Sequence, residues 1–505
     1  MKYQYLFVFF EKKMKMNNKI TFEVKSKIMN KKFIKKNIYI LIFLFTFMNF
    51  NFNFLNIAGT NNFYNTPATN GEVETTDGIL YGLKTDKYTL GRITRGEFRT
   101  WMNPEQYKND FKERNDDGEF KQYVTAYGLQ VKIFGNLVKY LNLTLKQMHI
   151  INSVIFSIII VLFSIFLQKN FTFAASIIFA LTLSMSPWII NHAKDVRFIT
   201  WASFLPLLSI SSINYFFNLK KLKNLIFCCS IIFLTILFKC LFGYEYISTI
   251  MIITFIYFIF VISKLKMPLN FFILSSIISS SFILLAFLVS FTFQNKLIAI
   301  NENSTFEIIK TRIYMNLGLD ISDELKNNPC LAKSSISKKN TKKKCKNDLQ
   351  HYEKLEDISR LEVLGRYFIF RNLLPWVGNS ETYLSEDFKN YLKTIFWEGN
   401  YSNIKIIFDK FNYKSFLAIT LVFFQTLIFV VIVLYSFKKI FTKGDFAEKL
   451  LLVGSFIGSI SWFIIAKNYS FVHMHLCYIA WYLSFLPFAL ALLTQSFKNE
   501  KKQSI

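Results

Sequence analysis

Negative charge is scarce in this chain: 33 acidic residues stand against 60 lysines and arginines, a net of +27 over 505 residues. In a soluble protein that imbalance would point to nucleic acid. Here much of the lysine flanks apolar runs, where it sets orientation and meets anionic lipid, so a nucleic-acid partner is discounted. Cysteine is scarce too, with six residues. Cys228, Cys229, Cys240 and Cys477 fall in or beside apolar runs and read as small hydrophobes. Cys330 and Cys345 bracket a lysine-rich stretch that a disulfide would close if that face is oxidising. No second pair of ligands stands at finger spacing, which argues against zinc. No phosphate-binding glycine loop and no repeat of fixed period is present. The short run Tyr5 to Phe10 is too brief to span and lacks a signal-peptidase pattern.

Apolar sequence is plentiful: 52% of residues are hydrophobic and 18% aromatic, with a mean hydropathy of +0.30. The expected fold is an all-α polytopic membrane protein of about ten transmembrane helices with two extracytoplasmic loop domains. Residues 1–36 form a basic cytoplasmic segment and 37–57 the first span. Residues 58–148 make a first outer loop, 149–293 a transmembrane bundle, 294–415 a second outer domain, 416–497 the last spans and 498–505 a cytoplasmic tail. Within the bundle the near-continuous apolar run 224–263 divides at Gly243. The short loops assigned to the cytoplasm carry Lys169, then Lys220, Lys221 and Lys223, then Lys264 and Lys266, then Lys438, Lys439, Lys443 and Lys449. Each is positive, as the positive-inside rule requires with both termini cytoplasmic. In the first outer loop, Leu129, Ile133, Phe134, Leu137, Val138 and Leu141 recur at helical spacing, which suits a helix lying on the membrane surface.

This topology gathers four polar constellations at the outer boundary. They are Asp77 in TTDGILYG; His192, Lys194, Asp195 and Arg197 in HAKDVR; Lys239 with Glu245 in KCLFGYEY; and His473 with His475 in SFVHMHLCY. Charge beside a bilayer is costly unless it meets water, a partner or a ligand. Each group also has a structural reading. Asp77 before Gly78 fits a turn, the HAKDVR cations fit an interfacial anchor, Lys239 and Glu245 fit an internal pair, and the two histidines fit interfacial hydrogen bonding. An anchor does not explain the aspartate kept between Lys194 and Arg197. A carboxylate can deprotonate an acceptor hydroxyl, and cations can hold a phosphate as charge develops on it. Transfer of a sugar from a lipid-linked phosphate needs both.

The pieces TDGILYG, YGLQVKIFG, SPWIINHAKDVRFITWASFLP, GYEYIST and FVHMHLCYIAWYLSFLPF, set behind a basic first span, resemble integral-membrane glycosyltransferases of the C-type fold and uncharacterised bacterial membrane proteins of that general type. The resemblance covers most of the chain apart from the N-terminal extension and the lysine-rich part of the second loop. It implies a polyprenyl-phosphate-linked sugar donor, a glycan, lipid or protein acceptor, and a bacterial inner (plasma) membrane. Asp77 would be the general base, and Arg197 and Lys194 would contact phosphate. The family often has adjacent acidic residues where this chain has Asp77 followed by Gly78, with Glu72 and Glu74 preceding, so Asp86, Asp116 and Asp117 remain substitutes. No metal ligand is assigned; Asp77 with Glu74 is too little for an octahedral oxygen site, and the cofactor requirement stays open, a divalent ion included. The competing functions are a lipid-linked saccharide flippase or transporter, and a polysaccharide polymerase or ligase. The first should show inverted repeats and broken helices near the midplane; the second places its main loop late.

Overall fold

A computed structural model describes residues 37–58, 71–94, 104–123, 126–301, 413–467, 470 and 477–503. The N-terminal segment, most of the second outer domain with Cys330 and Cys345, and His473 and His475 lie outside these residues. What is described is mostly helical, as expected. Helix α1 (Asn37–Phe52) leads to a first-loop unit of α2 (Glu72–Thr85), β1 (Gly91–Thr94), α3 (Pro104–Glu113), β2 (Glu119–Gln122) and α4 (Leu129–Leu141). The bundle then runs through α5 (Leu145–Leu167), α6 (Phe173–Ser184), α7 (Pro187–Ala193), a 3-10 turn (Thr200–Phe204), α8 (Leu205–Phe216), α9 (Leu222–Phe242), α10 (Ile247–Lys264) and α11 (Leu269–Asn301). Later come α12 (Tyr413–Lys443), α13 (Phe446–Ile465), α14 (Ile479–Leu483) and α15 (Phe485–Gln503).

Among the described residues five helices are long and apolar enough to cross a membrane: Leu145–Leu167, Leu222–Phe242, Ile247–Lys264, Leu269–Gln294 and Phe446–Ile465. A sixth crossing exists if α6 and α7, bent by 65° at their junction, count as one. The chain is a multi-pass membrane protein. The division at Gly243 is found where the sequence puts it: α9 ends at Phe242 and Gly243 caps it with its N–H on the Lys239 carbonyl. The α6–α7 bend has a local cause. Ser186 accepts a hydrogen bond from the Ile189 N–H and Pro187 opens α7, so the sequence writes a helix start where α6 stops.

The first-loop unit is not purely helical. β1 and β2 pair antiparallel, Arg92 opposite Lys121 and Ile93 opposite Phe120, a ribbon that the apolar pattern does not announce. Its core joins Val73, Ile79, Leu90, Ile93 and Phe111 to Val131, Phe134 and Val138 of α4, and continues into Val196, Ile199 and Phe242 of the bundle. Helix α4 packs one apolar side on α2, while Ile133, Tyr140 and Leu141 on its other side remain exposed. The HAKDVR segment is thus clamped between two cores, with Val196 turned into the first-loop one.

Asp77 and Gly78 are not a turn. Both lie inside α2 and are buried. A Cβ on Gly78 would sit 2.1 Å from the Thr89 carbonyl oxygen, so the glycine is there to let the segment leading into β1 cross the helix. Gly78→Ala should force that backbone apart, an overpacking cost of about 1–3 kcal/mol or more. The expected result is earlier thermal unfolding and faster protease cleavage of the first-loop unit, checked by limited proteolysis; an unchanged digestion pattern would refute the close approach.

Candidate functional site

The N-terminal turn of α2 carries Glu72 and Glu74, acidic residues favoured there by the helix dipole. Both reach into the bundle. Glu72, fully buried, takes the Val196 N–H on Oε1 at 3.2 Å and meets His149 Nε2 of α5 at 2.7 Å. Glu74 bridges two arginines: its Oε1 accepts from Arg92 Nη2 at 2.9 Å and its Oε2 from Arg197 Nε at 3.2 Å. Arg197 extends the chain of charge, its Nη2 3.8 Å from Glu245 Oε1, with its guanidinium 5.2 Å from the centre of the Tyr123 ring. Three segments distant in sequence therefore meet through one buried arginine.

Asp77 stands one helical turn beyond Glu74, on the same face, and its Oδ2 accepts the Ile93 N–H at 2.9 Å. Arg197 is itself held at the backbone, its N–H donating to Asp195 Oδ1 at 2.7 Å. Asn152 of α5 grips the same loop, its side-chain amide donating to the Asp195 carbonyl at 3.1 Å. Burial, with the charge of Glu72 adding to it, pushes the Asp195 carboxyl well above the usual carboxylate range. Its Oδ2 makes no hydrogen bond among the described residues. Burial pulls the Lys194 ammonium down to about 8, opposed by the nearby Glu72. Ile199, just past this loop, takes φ 44°, an uncommon conformation for a β-branched side chain that marks a constrained segment.

A cavity opens beside this cluster, lined by His192, Phe198, Thr200, Ser203, Lys239, Glu245, Tyr246, Ile479 and Leu483. Lys239 is buried and donates from Nζ to the Gly243 carbonyl at 2.8 Å. His192 packs edge-on against Phe198, ring centres 5.3 Å apart.

The sequence-derived groups therefore do not all converge equally. The structure brings His192, Lys239 and Glu245 to one cavity, and Arg197 beside it through Glu245. Lys194 and Asp195 are not among the cavity-lining residues and lie within the influence of Glu72. Asp77 is placed through Glu74 and is not among the cavity-lining residues. The substitutes for Asp77 sit elsewhere: Asp86 pairs with Lys139 at 2.7 Å on the exposed surface, about 13 Å along the helix from Asp77 at 1.5 Å per residue, and Asp116 pairs with Lys84. Sequence reasoning missed Arg92 and His149, and noted Glu72 and Glu74 only as neighbours of Asp77. The one available signal was a histidine entering the apolar run KQMHI, which has no spacing to any acid. No group of three or more His, Cys, Asp or Glu able to hold a metal ion occurs among the described residues. Comparison with protein-family models, curated proteins and solved structures gives no match for this chain.

Proposed function

We propose that this chain is a membrane glycosyltransferase that moves a sugar from a polyprenyl-phosphate-linked donor to a glycan, lipid or protein acceptor at the outer face of a bacterial inner membrane. The full ten-span topology, with both termini cytoplasmic and the first-loop unit outside, belongs to this reading. The observation that carries it is the buried series Glu74, Arg197 and Glu245, which joins the first-loop helix to the bundle beside a cavity with Lys239 and His192 on its wall. A buried arginine between carboxylates is costly to build, and a planar fork is suited to the phosphate of a leaving group. Asp77, on the Glu74 face of α2, is the general base that removes the proton of the acceptor hydroxyl. That hydroxyl oxygen then attacks the anomeric carbon, and the phosphate leaves with the bonding electrons, its charge met by Arg197 and Lys194.

The protein in sealed vesicles, supplied with polyprenyl-phosphate sugars, should release or transfer the sugar on the side from which Glu119→Cys is labelled by an impermeant reagent. Movement of the intact donor across the bilayer with no sugar released would replace this reading by the flippase. Lys194 adds a pH dependence. Its ammonium is charged below its pKa and lost as pH rises, so donor affinity should weaken as pH passes through about 8. The charged groups around it are Glu72, Asp195 and Lys108. Lys194→Arg should keep donor affinity flat to higher pH in an equilibrium binding measurement; a wild-type profile flat between pH 7 and 9 would remove Lys194 from the phosphate contacts.

A further inference from the structure

The cavity beside Arg197 already holds a carboxylate, and the chain is shaped to put it there. Glu245 lies in the link between α9 and α10, followed by Tyr246 at φ 61°. A Cβ on Gly243 would fall 2.1 Å from Glu245 Oε2, so the carboxylate folds back over the link into the space that the glycine leaves. The same Gly243 offers its carbonyl to Lys239 Nζ. Lys239 has three N–H donors, and among the described residues this is the one acceptor it meets. Glu245, in contrast, makes no hydrogen bond among the described residues. Its approach to Arg197 is 3.8 Å, beyond hydrogen-bonding range, whereas Glu74 holds the same guanidinium at 3.2 Å. Glu245 is also the more accessible partner, 16% exposed against 9% for Glu74. Arg197 thus has Glu74 as its hydrogen-bonded carboxylate, while Glu245 stands on the same cavity wall as Lys239 and near Arg197 without being locked to either.

We propose that Glu245 is an internal stand-in for a phosphate ester: its carboxylate offsets Lys239 and shares Arg197 with Glu74 until the phosphate of an entering ligand takes its place. The ligand class is an ester of a long-chain alcohol, because Phe198, Ile479 and Leu483 supply the apolar part of the wall. This deepens the reading above by adding Lys239 to the cations that meet the phosphate. It also assigns Glu245 a gating role distinct from that of Asp77. A phosphate and a carboxylate cannot share these cations without like-charge repulsion, so displacement of Glu245 is part of binding.

Binding of decyl phosphate and of inorganic phosphate to the purified full chain in nanodiscs tests the proposal by calorimetry, with no turnover needed. Glu245→Gln keeps the shape and removes the charge; it should tighten decyl phosphate at least about tenfold, equivalent to about 1.4 kcal/mol. Glu119→Gln on the exposed end of β2 changes net charge equally and should leave affinity as it was. Lys239→Gln should weaken binding of decyl phosphate. Unchanged or weaker binding in Glu245→Gln overturns the stand-in, and equal affinity for the two probes overturns the lipid-ester assignment. If no polyprenyl-phosphate sugar is ever turned over while the Glu245→Gln effect holds, the transferase reading fails and the phosphate-ester site remains.

Discussion

Asp77→Asn is expected to insert, fold and bind donor normally yet transfer sugar on the order of a hundredfold to ten-thousandfold more slowly, the range that loss of a general base produces. The substitution is chosen for what it preserves. Asparagine retains a carbonyl oxygen in the place of Asp77 Oδ2, so the Ile93 N–H keeps its acceptor. It fills the same volume inside α2, where Gly78 already leaves no slack. The structural loss should then be near that of one ordinary hydrogen bond, about 1 kcal/mol, too small to unfold the first-loop unit. Single-turnover transfer measured beside equilibrium donor binding separates the two readings. A variant with full activity would show that Asp77 serves only to pin β1 to α2. If Asp86→Asn were the dead variant, a residue on the far end of the helix would have to be the base, and the docking of Glu72 and Glu74 would have no bearing on chemistry.

Arg197→Lys is the second large effect. Arginine is held at Nε by Glu74, faces Glu245 with Nη2 and lies over Tyr123; a lysine has one point of charge for all three and no planar face. Removal of a preorganised charge stabiliser typically lowers turnover by about a hundredfold to a thousandfold, and the loss should appear in the chemical step more than in donor affinity. Glu74 would keep Arg92 as a partner at 2.9 Å, so the carboxylate is not left alone in the interior and the fold should survive. An arginine that merely anchored the loop at the interface would tolerate lysine. Wild-type turnover in Arg197→Lys would therefore support an anchor and weaken the enzymatic reading.

The membrane-crossing helices were legible because their signal is additive: each of Leu145–Leu167 or Leu222–Phe242 sums many apolar residues, and no single position decides it. The break at Gly243 and the concentration of charge in HAKDVR were legible for the opposite reason, since charge or glycine inside apolar sequence stands out alone. The partners of Arg197 were not. Glu74 lies 123 positions away, and one acid among several in a polar loop carries no mark of what it will meet. Asp77 misled locally: Asp-Gly favours turns, and tertiary packing overrode that preference by demanding a glycine in the helix. Strands of four residues, GRIT and EFKQ, are too short for an alternation to be read.

The bend between α6 and α7 reaches back to the very first helix. At the break, Ser184 is a buried helix end whose polar groups need partners within the protein. Thr46 Oγ1 lies 2.6 Å from Ser184 Oγ, and Asn49 Nδ2 donates to the Ser184 carbonyl at 3.2 Å. Helix α1 is thus a keystone as well as a tether. The corner that turns the chain toward His192 and Arg197 is finished by side chains that stand more than a hundred residues earlier. A chain stripped of α1 should therefore lose the α6–α7 corner, and with it the shape of the site, while keeping its five helices of membrane-crossing length.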